Sequence, residues 1–138
     1  MTVRNFARWI GIVFILVGIL GFIPGITQMM TDSSDLRVDT SNGMLLGLFH
    51  VNLIHNLVHI LLGLWGVASA GRTDSAVAYA RGITYIYAIL AVLGLIPATN
   101  TLFGLAPIGG ADVGLHIVLA AIAAYFGWGV RDSSTARA

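Results

Sequence analysis

Four long apolar runs dominate the sequence and leave little of the chain for any other structure. They cover approximately Phe6 to Met30, Leu53 to Ala70, Ala76 to Pro97 and Val113 to Val130. Each is close to the ~17–25 residues that a helix needs to cross a bilayer. Only 9% of the residues are charged, far below the ~25% of a soluble domain. The sequence therefore predicts an all-α, four-transmembrane-helix bundle that forms one domain over residues 1–138.

Several residue types are absent, and their absence narrows the chemistry. The chain has no Cys, Glu or Lys. Disulfides, thiolate metal sites, iron–sulfur clusters and covalently attached haem all require Cys. Paired-Glu di-iron sites are excluded because the chain has no Glu, and Schiff bases are excluded because it has no Lys. The formal net charge is +1, and the scattered arginines predict no nucleic-acid partner.

The positions of the arginines predict how the chain sits in the membrane. Six of the seven lie beside the chain ends or the second connection: Arg4, Arg8, Arg72, Arg81, Arg131 and Arg137. The long first connection instead sets Arg37 against Asp32, Asp35 and Asp39. By the positive-inside rule, both termini and the second connection are cytoplasmic. We therefore expect a multi-pass protein of the bacterial inner membrane.

Two stretches of the chain resemble each other and indicate an internal duplication. LLGLFHVNLIHNLVHILLG at residues 45–63 aligns without a gap to LFGLAPIGGADVGLHIVLA at residues 102–120. LGFIPGIT in the first run and LGLIPATN in the third also each place a Pro at the outer end of the predicted helix. The chain is therefore predicted to consist of two repeated helical hairpins, about 6–70 and about 76–130, related by an axis along the membrane normal.

The repeat also predicts where the second and fourth helices begin. Residues 44–51 align with the Gly- and Pro-containing TLFGLAPI, which is a poor continuous helix. Both segments are expected to be non-helical lead-ins, packed on protein. The spanning helices should begin near Asn52 and Asp112, both of which are good N-cap residue types.

A polar cluster follows from the same alignment. His59 falls on His116 and His55 falls on Asp112, and residues four apart share one helix face. Three imidazoles and a carboxylate can form a four-coordinate site for zinc or another divalent metal. The predicted ligands are therefore His55, His59, Asp112 and His116. Asn52 and Asn56 are predicted to orient them by hydrogen bonds, whereas His50 is expected to be an interfacial histidine.

Other interpretations of the cluster stay open. Asn, His and Asp side chains also join membrane helices through hydrogen bonds, and the cluster would then only stabilise the bundle. His59 and His116 can ligate one haem iron from opposite sides, with Gly63, Gly66 and Gly114 leaving room for the macrocycle. A quinone-linked redox subunit and a metal-dependent lipid hydrolase with Asp112 as base are further alternatives. Whether the protein is an enzyme is therefore left open.

The stretches NLIHNLVH (residues 52–59) and GGADVGLH (residues 109–116) together resemble the motifs of a family of small bacterial four-helix membrane proteins. The family is classed as a domain of unknown function. The family pattern has Asn-x-x-His-Asn-x-x-His on the second helix and Asp-x-x-x-His on the fourth. Here the matching residues are Asn52, His55, Asn56, His59, Asp112 and His116. The sequence departs from the pattern at Gly109, where Asn is often found. The resemblance implies the four-helix fold and these site residues, and it implies no activity.

The predicted partners follow from the composition. The lipid bilayer is the main one, and faces rich in Gly and Ala are compatible with a homo-oligomer or a larger membrane complex.

Overall fold

The computed structural model describes residues 1–31 and 35–130 of the chain. Asp32, Arg131 and Arg137, which contribute to the predicted orientation, lie outside these residues. The elements follow one another as one helix, three short strands and three further helices.

The first helix, α1, spans Val3–Leu20 and is shorter than its apolar run predicts. The Thr2 hydroxyl accepts the backbone N–H of Asn5 and caps its start. The helix ends before Pro24, which has no N–H to donate, and Gly25, whose φ is 95°. The predicted continuation to Met30 is therefore wrong, because hydropathy alone does not separate an apolar helix from an apolar strand.

A small antiparallel sheet occupies the connection between the first two long helices. Its strands are β1 (Thr27–Met29), β2 (Gly43–Leu45) and β3 (Phe49–Val51), in the order β1-β2-β3. The all-α prediction is therefore not exact. The sheet pairs backbone N–H and C=O groups that this non-helical segment would otherwise leave unpaired.

Three more helices complete the fold. They are α2 (Leu53–Ser69), α3 (Thr73–Leu95) and α4 (Ala111–Ala124), and α4 continues as a π-helical turn over Tyr125–Gly129. The segments Val3–Leu20, Thr73–Leu95 and Ala111–Gly129 are each long and apolar enough to cross a membrane. The α2 helix is also apolar but has 17 residues.

The predicted starts of α2 and α4 are confirmed to within two residues. Asn52 is the N-cap of α2, and α4 begins at Ala111 after Gly110 rather than with Asp112 as its cap. The lead-ins before both helices are non-helical, as predicted: one holds β2 and β3, and residues 96–110 form mainly turns.

The two lead-ins also share an unusual backbone conformation. Leu46 and Gly47 have φ of 53° and 69°, and the residues aligned with them, Phe103 and Gly104, have φ of 59° and 85°. Left-handed φ is uncommon for residues other than Gly. The duplication itself stays a prediction, and this conformational match is consistent with it.

Close glycine contacts join α1 to α2. A Cβ built on Gly63 would lie 2.6 Å from the carbonyl oxygen of Gly11, and one on Gly18 would lie 2.6 Å from that of Asn56. Such small residues let membrane helices approach until their backbones touch. Likewise, α3 packs mainly on α4, whereas α2 and α4 make little backbone contact with each other. The α2 helix is thus packed closely against α1 but not against α4.

We predict that Gly63→Ala destabilises the protein by about 1–3 kcal/mol, because the added methyl group meets the α1 backbone. The free energy of unfolding in mixed micelles measures the effect. The control is Gly114→Ala on α4, where a Cβ would have nothing within 4 Å. An equal effect of the two substitutions would contradict the described α1–α2 contact.

Candidate functional site

The Asn52 side chain joins the start of α2 to the β1–β2 connection and to the lead-in before α4. Its Oδ1 accepts the backbone N–H of His55 at 2.9 Å, which caps the helix. Its Nδ2 donates to the carbonyl oxygens of Val38 and Leu105, at 2.8 Å each. The residue is fully buried. One amide therefore fixes where α2 begins and, through that, the depth of the histidine one turn further along.

Backbone carbonyl groups orient two histidine rings on α2. The Nδ1 of His55 donates to the carbonyl oxygen of Pro107 at 3.1 Å, and the Nδ1 of His59 donates to that of His55 at 3.0 Å. The rings stack with centroids 4.6 Å apart. Because a carbonyl oxygen only accepts, Nδ1 carries the proton, and in the neutral ring Nε2 is then unprotonated. Each imidazole offers one hydrogen-bond acceptor.

Side chains from all four helices meet around Tyr87, and we call this group the Tyr87 cluster. It consists of Phe14, His55, His59, Tyr87 and His116. The Tyr87 hydroxyl donates to Nε2 of His59 over a long 3.5 Å. The centroids of Tyr87 and His116 are 5.1 Å apart, and Phe14 lies 5.4 Å from His59 and 5.5 Å from Tyr87. All five side chains are buried.

The Tyr87 cluster borders a cavity enclosed by α2, α3, the lead-in before α4 and His116 of α4, which we call the α2–α4 fissure. Its volume is about 70 Å³, and apolar side chains form most of its walls. His55, His59, Tyr87 and His116 also line it. Val58, another lining residue, is 41% exposed, so the fissure reaches the outer surface of the bundle. The poor contact between α2 and α4 leaves this space.

Several buried polar atoms of α2 and α4 have no hydrogen-bond partner in the described part of the chain. They are Oδ2 of Asp112, Nδ1 of His116 and both amide atoms of Asn56. Leaving such a group unpaired costs about 1–3 kcal/mol. Asn56 lies against Gly21, where even one added carbon would collide with its amide. Such unpaired atoms call for a ligand or an ordered water molecule.

The described residues do not gather the predicted metal ligands into a site. Among residues 1–31 and 35–130, no group of three or more His or Asp side chains is arranged to hold a metal ion. The two asparagines also differ from their predicted role, because Asn52 bonds backbone groups and Asn56 bonds no imidazole in the described structure. Zinc coordination by His55, His59, Asp112 and His116 therefore stays a prediction.

Two of the three glycines that were expected to leave room for a haem pack against other helices instead. Gly63 lies against Gly11 and Ile15 of α1, and Gly66 lies against Tyr79 and Ala7. Of the three, Gly114 alone has open space around it. The bis-histidine haem and the lipid hydrolase both stay predictions.

Sequence reasoning missed Tyr87 and Phe14 as members of the cluster. The available signal was the spacing of Tyr79, Ile83 and Tyr87, which recur every four residues on one face of α3 and are all buried. A phenol in the middle of an apolar helix needs a hydrogen-bond partner, and His59 provides it.

Comparison with known proteins places the chain in a family. The family model described as domain of unknown function DUF4383 matches residues 4–129, and the chain belongs to this family. No curated protein and no solved structure matches the chain.

We predict that a variant that keeps a capping oxygen at position 52 but loses the Nδ2 donor is less stable than the wild type. Asn52→Ser should lower the free energy of unfolding by about 1–3 kcal/mol, because the carbonyl groups of Val38 and Leu105 lose their donor. Asn52→Ala should cost about 1 kcal/mol more, since the cap is lost too. The exposed Asn5→Ala variant serves as control and should change little. A wild-type value for Asn52→Ser would contradict the role of the two bonds.

Proposed function

We propose that this member of the DUF4383 family is a multi-pass membrane protein that binds a lipid-soluble ligand with a hydroxyl head group in the α2–α4 fissure. A membrane quinol is the ligand class that fits best. The observation that carries the proposal is a pair of imidazole Nε2 acceptors beside a cavity that reaches the surface of the bundle. The first is on His55, and the second is on His59, where a quinol hydroxyl would replace the long 3.5 Å bond from Tyr87. Binding, rather than catalysis, is the proposed role.

The proposed membrane topology has four spans with both termini on the cytoplasmic side. At 1.5 Å per residue, the 17 residues of α2 rise roughly 25 Å, close to the ~30 Å hydrocarbon core. Arg4, near the N-terminus, donates to the carbonyl oxygen of Ala70 at the end of α2. The N-terminus and the second connection therefore lie at one end of the bundle, as the positive-inside rule requires. The sheet end then faces outward from the bacterial inner membrane.

The choice of a quinol follows from the hydrogen-bonding character of the site. Unprotonated Nε2 atoms accept hydrogen bonds, and the two hydroxyl groups of a quinol donate them. An oxidised quinone carries only carbonyl acceptors and would find fewer complementary groups. The apolar walls suit the ring, and the opening at Val58 suits an isoprenoid tail that extends into lipid. At about 70 Å³ the fissure is smaller than the ~300–1,000 Å³ of typical ligand sites, so α4 and its lead-in must move away from α2 to admit the ring.

The role suggested by such a site is that of an accessory subunit in a larger membrane complex. The chain has no Cys for an iron–sulfur cluster or a covalently attached haem. We propose that redox chemistry of a bound quinol, where it occurs, depends on a partner subunit.

Zinc is a second candidate, and one observation favours it. Metal-binding histidines typically donate their other ring N–H to a carbonyl or carboxylate group, and His55 and His59 both do so. With His116 and the buried carboxylate of Asp112, a zinc site would need movement of α4 toward α2. This movement would close the fissure, so zinc and the quinol are alternatives.

We predict that a short-chain quinol binds the full-length protein in nanodiscs and that His59→Phe weakens this binding about tenfold. Phe keeps the ring but removes the acceptor, and tenfold corresponds to about 1.4 kcal/mol, the size of one hydrogen bond. Equilibrium binding with the reduced and oxidised forms measures the effect.

The matched control is His50→Phe, because His50 lies on β3 and does not line the fissure. Its affinity should equal that of the wild type. Equal binding by His59→Phe and the wild type, or tighter binding of the oxidised form, would overturn the proposed ligand class.

For zinc, we predict about one metal ion per chain after purification in zinc-containing buffer if the second candidate is right. Elemental analysis should then show that the His59→Ala/His116→Ala variant loses it. Equally little zinc in both proteins would exclude this candidate and leave the quinol prediction unaffected.

A further inference from the structure

A second and larger cavity lies at the sheet end of the molecule, and we call it the sheet cleft. Its volume is about 530 Å³. One wall includes Met30, Met44 and His50, and the opposite side includes Asn100 and the start of α4. Pro107 borders both this cleft and, through its carbonyl group, the ring of His55. The sheet cleft shares none of the Tyr87 cluster residues.

Strand register brings a methionine and a histidine side by side in the sheet cleft. Met44 and His50 are direct partners across β2 and β3. Side chains at such positions have Cβ atoms about 4.5–5.5 Å apart on the same face of the sheet. A thioether sulfur and an imidazole nitrogen from these two residues can therefore reach one bound ion.

A second methionine lies on the same face. The N–H of Met30 donates to the carbonyl oxygen of Asn42 at 2.9 Å, which continues the β1–β2 pairing by one residue. Because side chains alternate along a strand, residues 42 and 44 share a face, and Met30 opposite Asn42 shares it too. Met30, Met44 and His50 all line the sheet cleft, as this geometry requires.

A hydrogen bond to the buried Asn42 side chain holds the imidazole of His50 in place. Its Nε2 donates to Oδ1 of Asn42 at 2.6 Å, and Asn42 is only 2% exposed. In the neutral ring Nδ1 is then unprotonated and has a free lone pair. Histidines that bind metals are commonly fixed by such a bond from the other nitrogen.

We propose that the sheet cleft binds monovalent copper through the thioethers of Met30 and Met44 and Nδ1 of His50. Thioether sulfur is a soft ligand that selects Cu(I) over harder cations, and imidazole also suits copper. Asp35 lines the same cleft and adds a negative charge that favours a cation. This site is independent of the quinol and zinc candidates, because none of its ligands belongs to the fissure.

The test is a Cu(I) titration of the purified full-length protein in nanodiscs, under anaerobic conditions with a chromophoric Cu(I) chelator as competitor. The wild type should bind one Cu(I) per chain. Met44→Leu and His50→Phe should each weaken binding at least tenfold. Met29→Leu is the matched control, because Met29 pairs with Gly43, belongs to the opposite face and does not line the cleft.

Unchanged binding by both Met44→Leu and His50→Phe, or an equal loss in Met29→Leu, would overturn the proposal. X-ray absorption of the copper-loaded wild type gives a second readout that needs no variant. Sulfur neighbours at the copper are expected, and a shell of nitrogen and oxygen alone would contradict the proposal. Displacement of Cu(I) by equimolar Zn²⁺ would also contradict a soft-ligand site.

Discussion

The buried amide of Asn52 is the interaction on which the arrangement of this bundle most depends. Its oxygen caps α2, and its two N–H groups bond carbonyl oxygens in the β1–β2 connection and in the lead-in before α4. Buried carbonyl groups of irregular backbone need such partners, because secondary structure does not pair them. One side chain does this for segments far apart in sequence. It therefore fixes the first turn of α2 and, with it, the positions of His55 and His59.

Unequal packing on the two sides of α2 explains why a site exists here. Glycines on α1 and α2 bring these helices into backbone contact, so α2 is held on that side. On the other side α4 makes little contact with α2, and Tyr87 of α3 is among the residues that line the space left there. Carbonyl groups occupy Nδ1 of both α2 histidines, which leaves their Nε2 atoms as the acceptors of the Tyr87 cluster. The central claim of the proposed function is that both Nε2 atoms are unprotonated acceptors, which a ligand can use in place of the long bond from Tyr87 to His59.

The sequence was most informative where a repeat or a helix period constrained it. The starts of α2 and α4 were predictable because 45–63 matches a Gly- and Pro-containing stretch that cannot continue a helix. The sheet was not, because strands of three residues are too short to show alternation. Tyr87 was missed because its contact with His59 joins residues 28 positions apart. The four-residue spacing within His55/His59 and within Asp112/His116 places each pair on one face of its own helix. It does not fix the distance between α2 and α4.

The most direct test of the central claim is ¹⁵N NMR of histidine-labelled protein in nanodiscs, which reports the ring nitrogen that carries the proton. His55→Gln and His59→Gln variants assign the signals. We predict that both rings are neutral with the proton on Nδ1, which leaves Nε2 as an acceptor. A proton on Nε2 of either ring would contradict the carbonyl bonds and the ligand class proposed from them.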